Sequence, residues 1–166
     1  MENREKLVYC ALKLFAGRGY DGVGVQEIVE TAAVTKPTLY HYFTNKRGLL
    51  DAVLKENFDP LLKGVREAAY YQRDIVNSLQ KISQFYFESA RAQPDFFRLQ
   101  LSLQYAPPKS EANLAVQPYR QEQQQILQSL FIQSVQDHGN MRGRQMMMSA
   151  TYLGMIHTYI GEFLNG

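Results

Sequence analysis

The sequence predicts an all-α protein in which three short helices precede four or five longer ones. Throughout the 166 residues, apolar side chains recur three or four positions apart, which is the spacing of one helix face. No stretch alternates between apolar and polar residues for long enough to indicate a β-strand. Hydrophobic residues make up 45% of the chain, which is sufficient for a packed core.

The first helix is predicted over residues 3–18. Leu7, Ala11 and Leu14 share one face of this segment, and they identify the side that packs against the core. Glycine follows at Gly19, a residue that commonly terminates helices. The first element should therefore be an amphipathic helix of about four turns.

Two shorter helices are predicted next. The second covers residues 25–32, and the third is recognised by Leu39 and Phe43, which are four positions apart. Pro37 lies in the first turn of the third helix, where the N–H that proline lacks has no partner in any case. Thr35 is the expected N-cap.

Longer helices are predicted for the remainder of the chain. The fourth begins at Asn45 or Lys46 and either kinks at Pro60 or restarts there with Asp59 as its cap. We place a domain boundary at its start, so that residues 1–47 form one domain and residues 48–166 another. Further helices are predicted over residues 73–92, 94–105, 116–138 and 142–164, separated by Pro94, a loop at 106–113 and a turn at 138–143.

Charge is nearly balanced overall but biased locally. The net charge is +2, with 18 basic and 16 acidic residues, which argues against a protein that coats DNA without regard to sequence. Residues 31–50, however, contain Lys36, Lys46 and Arg47 and no acidic residue. A carboxylate in this segment would repel a phosphate backbone, so the bias favours an interaction with nucleic acid.

The second and third helices have the size and spacing of a helix-turn-helix, with the turn near Ala33 and Val34. In that motif the second of the two helices enters the major groove of DNA. With Leu39 and Phe43 buried, the outer side carries groups that can hydrogen-bond bases or phosphates: Lys36, Thr38, His41 and Tyr42, with Tyr40 near the edge. The alternative is that two short helices simply form part of an all-α protein and that these side chains are solvated.

Residues 19–53, "GYDGVGVQEIVETAAVTKPTLYHYFTNKRGLLDAV", resemble the N-terminal DNA-binding domain of the TetR/AcrR family of bacterial transcriptional regulators. The similarity rests on a first helix ending in "LFAGRGY", a second helix containing "IVETAAV", and "TLYHYF" followed by "NK". It covers about the first 55 residues closely. The remainder resembles the family in the number, order and length of its helices.

The resemblance implies contacts with DNA at the matching positions. Thr35, Lys36, Thr38 and His41 would face the operator, Tyr40 and Tyr42 would contact phosphates or bases, Lys46 would hold a phosphate, and Gln26 would lie at the backbone. The chain departs from the family at Val23 and Gly24, where Thr or Ser is frequent, and at Ala33, where Gly is common. We expect the turn at Ala33 to be altered but present.

The last helix is a candidate for pairing two subunits. Its apolar residues cover more than one face, and Gly154 and Gly161 would let another helix approach closely, so we predict a homodimer interface at Leu153, Gly154, Ile156, Ile160, Gly161 and Leu164. The alternative is a central core helix of a monomer. The resemblance implies a four-helix bundle built from the last two helices of each subunit. Because this sequence stops at "GEFLNG", either a final helix of roughly 15–25 residues is missing from it, which we expect, or the protein dimerises differently.

The resemblance also implies an inducer pocket in the C-terminal part. Aromatic residues and methionines with a few polar groups would suit a small apolar ligand. The candidate lining residues are Phe85, Tyr86, Phe97, Leu101, Tyr105, Tyr119, Gln123, Met147, Tyr152 and Met155. The same residues would equally suit a filled core, and we expect His157 to be a hydrogen-bonded core histidine.

No catalytic, metal or cofactor site is predicted. The three histidines have no metal-ligand spacing, and no nucleophile, paired carboxylates or glycine-rich phosphate loop can be identified. The single cysteine, Cys10, fits a reducing compartment, and the charged start "MENREKLVYC" lacks the features of a secretory signal, so we expect a cytoplasmic location without membrane association.

These observations favour one function over an alternative. We expect a ligand-responsive, sequence-specific transcriptional regulator, a homodimeric repressor that a small apolar molecule releases from an inverted-repeat operator in double-stranded DNA. The alternative is an all-α small-molecule-binding protein or enzyme without specific DNA binding.

Overall fold

The computed structural model describes residues 2–166, and within that range every regular element is helical. The all-α fold class is therefore confirmed. None of these helices is both long and apolar enough to cross a lipid bilayer. The elements are α1 Asn3–Arg18, α2 Val25–Thr31, α3 Lys36–Phe43, α4 Lys46–Ala68, α5 Ile75–Ala92, α6 Pro94–Gln104, α7 Glu111–Ser134 and α8 Gln145–Asn165, with a 3-10 turn at Gly139–Met141.

The chain forms two compact units. The first unit comprises Met1–Phe58 and Asp95–Gln117, and the second comprises Asp59–Pro94 and Pro118–Gly166. The helices that were expected to contact DNA, α1 to α3, lie in the first unit. The functional boundary after residue 47 stays a prediction.

The core of the first unit is built from the apolar faces that helical spacing predicts. Leu7, Ala11 and Phe15 of α1 are fully buried, as is Leu39 of α3. Each large apolar side chain that is removed from water in this way contributes about 1.5–3 kcal/mol. Helix α3 is thereby held by its inner face, and its outer face is left free for other contacts.

Helix α7 begins earlier than predicted. The sequence indicated a start near residue 116, but the helix begins at Glu111, because the side-chain oxygen of Ser110 accepts a hydrogen bond from the N–H of Asn113 at 3.2 Å. Pro118 lies inside the helix. The predicted loop at 106–113 is therefore shorter, and it ends at Ser110, which caps the helix.

The second unit packs α5, the later part of α7, and α8. Ile82 and Tyr86 of α5 are fully buried, as are Ile156 and Ile160 of α8. Gly64 of α4 is required by a close approach, since a Cβ at this position would collide with the ring of Phe85. This unit therefore has a packed interior of its own.

Candidate nucleic-acid interface

The turn between α2 and α3 forms with alanine at its left-handed position. Ala33 has φ 53°, a conformation that costs an L-residue other than glycine about 1–2 kcal/mol. The N–H of Val34 donates to the carbonyl of Val29 at 2.9 Å, which closes the end of α2. The turn is thus present. The hydrogen bonds and packing on either side of it offset the cost of the left-handed conformation at Ala33.

Helix α3 presents a polar aromatic surface to solvent. Tyr40 is 46% exposed and Tyr42 is 43% exposed, and Lys36 and His41 are exposed beside them. The rings of His41 and Tyr42 contact each other edge to face, with centroids 5.1 Å apart. Such a surface offers hydrogen-bond donors and acceptors together with flat apolar faces, which suits contact with DNA.

The two threonines at the start of α3 have a structural task. The Thr35 hydroxyl caps the helix by accepting from the N–H of Thr38 at 3.4 Å, and the two hydroxyls lie 2.9 Å apart. Thr35 therefore positions α3. Because the Thr35 hydroxyl already makes these hydrogen bonds, it has less capacity to hydrogen-bond DNA.

Gln26 lies on α2 beside an acidic side chain. Its amide donates to the carboxylate of Glu30, four residues further along the helix, and Arg18 pairs with Glu27 on the same element. The lack of acids seen in residues 31–50 does not extend to the outer surface of α2. A contact between Gln26 and the phosphate backbone would have to release Gln26 from Glu30.

Lys46 is engaged within the protein, which differs from the phosphate contact implied by the sequence. Its ammonium group donates to the carbonyls of Tyr20 and Val23, each at 3.0 Å, and lies 4.1 Å from the centroid of the Tyr20 ring. Two of its three protons are used in this way. Lys46 thus fastens the loop between α1 and α2 to the start of α4, and one proton remains for an outside partner.

A second fastening, which sequence reasoning missed, joins the first turn of α7 to the same loop. The Tyr20 hydroxyl donates to the carboxylate of Glu111 at 2.7 Å, and Arg47 donates to the Glu111 carbonyl at 3.1 Å. Burial, followed by the bond to Glu111, raises the pKa of Tyr20 far above its usual value. Tyr20 and Glu111 are 91 positions apart, so no local pattern could have revealed this contact.

The predicted pocket residues separate into buried and exposed groups. Tyr86, Phe97 and Gln123 are buried, and Phe85, Leu101, Tyr119 and Tyr152 are partly buried. Tyr105, Met147 and Met155 are exposed. Tyr105 follows the last residue of α6, whereas Met147 and Met155 lie on the side of α8 opposite its buried residues.

The exposed residues of α8 are not those predicted for the dimer interface. Leu153, Ile156, Ile160 and Leu164 are buried within the second unit, so they are not available to a partner subunit. Gly154 is exposed and Gly161 is partly so. The exposed large apolar side chains of α8 are Met146, Met147, Met155, Tyr159 and Phe163. Met155, Tyr159 and Phe163 are four positions apart and form a row along the helix.

Within residues 2–166 no three metal-ligating side chains lie close enough together to hold a metal ion. Cys10 is partly buried, and its burial raises the pKa of the thiol.

The N-terminal part of the chain is similar to known bacterial regulators. Residues 9–53 match the family model of bacterial regulatory proteins, tetR family. The chain is 35% identical over 98 residues to the HTH-type transcriptional activator FasR of Mycolicibacterium smegmatis, an alignment that covers 59% of this chain and 45% of FasR. The chain thus spans less than half the length of that relative.

Solved structures share the fold over nearly the whole chain. FadR from Bacillus subtilis, solved in complex with stearoyl-CoA, superposes with a TM-score of 0.80 at 18% identity and covers 96% of this chain and 86% of its own. AibR, solved with isovaleryl coenzyme A and operator DNA, has a TM-score of 0.75 at 23% identity, covering 94% and 84%. At these identities the structures establish the fold. The N-terminal helices of this chain are thus similar to those of bacterial regulatory proteins of the tetR family, and its fold is that of these solved structures.

Proposed function

We propose that the protein is a ligand-responsive, sequence-specific transcriptional regulator of the cytoplasm. It binds an inverted-repeat operator as a homodimer and acts as a repressor that a small apolar molecule releases. The observation that carries the proposal is the outer face of α3, where Lys36, Tyr40, His41 and Tyr42 are exposed directly after a helix-turn-helix turn. The proteins that the chain resembles are transcriptional regulators, which supports a role without catalysis.

In this proposal α3 lies in the major groove. His41 and Tyr42 reach base edges or the adjacent phosphates, Lys36 and Tyr40 neutralise or hydrogen-bond phosphates, and Thr35 and Thr38 hold the helix end in position. Lys46 contributes indirectly, because its hydrogen bonds fix the α1–α2 loop. Base contacts then provide specificity and the phosphate contacts provide orientation.

A homodimer is required if a symmetric operator is read by two copies of α3. The exposed apolar row on α8 is the surface we propose for pairing, in place of the buried residues that the sequence suggested. Tyr159 in this row is 62% exposed, and a surface with several large apolar side chains indicates a contact with another protein. A Cβ at Gly154 would meet no atom within 4 Å in this subunit, so packing within the subunit does not require glycine there.

The effector would act by shifting a population of conformations. A ligand that binds better to a form in which the two α3 helices do not fit successive turns of the major groove lowers affinity for the operator. The buried and partly buried members of the predicted pocket that lie in the second unit remain candidate contacts: Phe85, Tyr86, Tyr119, Gln123 and Tyr152.

Salt-dependent binding to a random-sequence duplex pool tests whether α3 faces DNA. We expect Lys36→Ala to weaken binding to all sequences and to reduce the slope of log affinity against log salt by about 1. Lys63→Ala is the matched control, because Lys63 is an exposed lysine of the second unit that pairs with Glu67. Equal losses for both variants would mean that binding follows net charge and not α3, and would contradict the proposal.

A further inference from the structure

The interior of the second unit contains a cluster of polar side chains contributed by three helices. Tyr86 of α5, Gln123 of α7 and His157 of α8 are all buried, with Gln123 only 1% exposed. The Tyr86 hydroxyl donates to the side-chain oxygen of Gln123 at 2.8 Å, and the rings of Tyr86 and His157 lie edge to face with centroids 6.4 Å apart. We call Tyr86, Gln123 and His157 the polar cluster.

One member of the polar cluster lacks a hydrogen-bond partner. His157 is 6% exposed, and its Nε2 atom has no partner among residues 2–166. The expectation of a fully hydrogen-bonded core histidine is therefore not met at this atom. A buried polar atom without a partner is costly and calls for a specific explanation, such as a functional role.

We propose that the polar cluster binds the effector and that Nε2 of His157 donates a hydrogen bond to an uncharged carbonyl oxygen of that molecule. The aromatic face of Tyr86 would contact the apolar part beside the carbonyl. Gln123 would hold the Tyr86 ring in place through the bond to its hydroxyl. This inference rests on the proposed ligand-responsive function and specifies the chemistry of its effector.

The electrostatics of the polar cluster favour a carbonyl oxygen as the acceptor that the effector offers to Nε2. Burial and the positive charge of Arg120 both disfavour the imidazolium form, so the ring is neutral and the pKa of His157 is lowered to about 4. The charge of Arg120 favours an oxygen that carries partial negative charge over a hydrogen-bond donor. A carboxylate is excluded because a fully charged group buried at this depth needs several donors, whereas Nε2 supplies one.

The first test needs no knowledge of the natural ligand. If Nε2 is an unpaired atom kept for binding, His157→Leu should leave the Tm of the ligand-free protein unchanged or raise it by roughly 2–8 °C. Gln123→Leu is the matched comparison, because it deprives the Tyr86 hydroxyl of its acceptor and should lower Tm. If His157→Leu lowers Tm as much as Gln123→Leu does, Nε2 has a structural partner such as a buried water, and the proposal is overturned.

The second test uses cyclohexanone as a carbonyl probe and cyclohexane as its apolar counterpart. With histidine labelled by nitrogen-15, cyclohexanone should move the Nε2 resonance of wild-type His157 in a saturable manner, and cyclohexane should not. No movement up to the solubility limit, or equal movement with both probes, would overturn the assignment. DNA binding without any probe is measured separately, so a protein that binds DNA but fails here loses only this inference and keeps the proposed function.

Discussion

The buried imidazole of His157 makes the stability of the protein depend on pH in a defined window. In the unfolded chain the pKa of this ring is near 6.5, whereas in the folded protein burial, and then the charge of Arg120, lower it to about 4. As pH falls below 6.5, the unfolded chain therefore takes up a proton that the folded protein does not. The contribution of the neutral His157 ring to the free energy of unfolding is fully present above pH 6.5 and is lost progressively as pH falls towards 4.

The size of the effect follows from the two pKa values. A difference of one pH unit in pKa is equivalent to about 1.4 kcal/mol, so the full loss is about 3 kcal/mol once pH lies below both values. At pH 5 the loss is about 2 kcal/mol. This is a large share of the roughly 5–15 kcal/mol by which domains are usually stable.

The assay is urea unfolding followed by circular dichroism at pH 7.5 and pH 5. The difference in unfolding free energy between the two pH values should be about 2 kcal/mol larger for wild type than for His157→Leu, which lacks the group. His41→Gln is the control, because it removes a histidine from the exposed outer face of α3 and leaves His157 in place. If wild type and His157→Leu lose the same stability between these pH values, His157 is not buried as a neutral ring and the reasoning fails.

Three further predictions concern the turn, the α1–α2 loop and α8. Ala33→Gly should stabilise the protein by about 1 kcal/mol in urea unfolding, because glycine adopts φ 53° without the cost that alanine has; an unchanged midpoint would mean the turn is unstrained. Lys46→Ala should destabilise the first unit by about 2 kcal/mol, because it removes two charged hydrogen bonds to carbonyls. Hydrogen exchange of the backbone amides in α1 and α2 should become faster. A loss of DNA binding without a loss of stability would instead indicate that Lys46 contacts a phosphate. Tyr159→Lys should shift the protein towards monomer in sedimentation equilibrium without changing its helix content. The control Lys81→Glu, at an exposed position of α5, should leave the proportion of dimer unchanged. If Tyr159→Lys remains dimeric, the subunits pair through another surface.

The elements that the sequence predicted correctly depend on local patterns. The spacing of Leu39 and Phe43, with Thr35 as cap and Pro37 in the first turn, identified α3 and its inner face from nine neighbouring residues. The outer face of α3 followed directly, since helix geometry leaves few alternatives once one face is buried.

The features that the sequence did not predict depend on distant contacts. Lys46 occupies the position expected to bind phosphate, but the carbonyls that it contacts belong to residues 26 and 23 positions earlier, and nothing in the local sequence indicates them. On α8, apolar residues cover both sides, so periodicity alone could not distinguish the buried Ile156 and Ile160 from the exposed Met155 and Tyr159. Which side faces inward is decided by the helices that pack against α8.

In the proposed function, two copies of α3 read a symmetric DNA site. The most direct measurement is the selection of bound duplexes from a random-sequence pool, carried out in parallel with wild type and His41→Ala at moderate salt. Wild type should enrich an inverted repeat whose half-sites are centred about 10 base pairs apart or a multiple of that. The variant should lose its preference at the same position in both halves. If no sequence is enriched, or if His41→Ala enriches the same repeat with the same preferences, α3 does not read DNA in the way proposed.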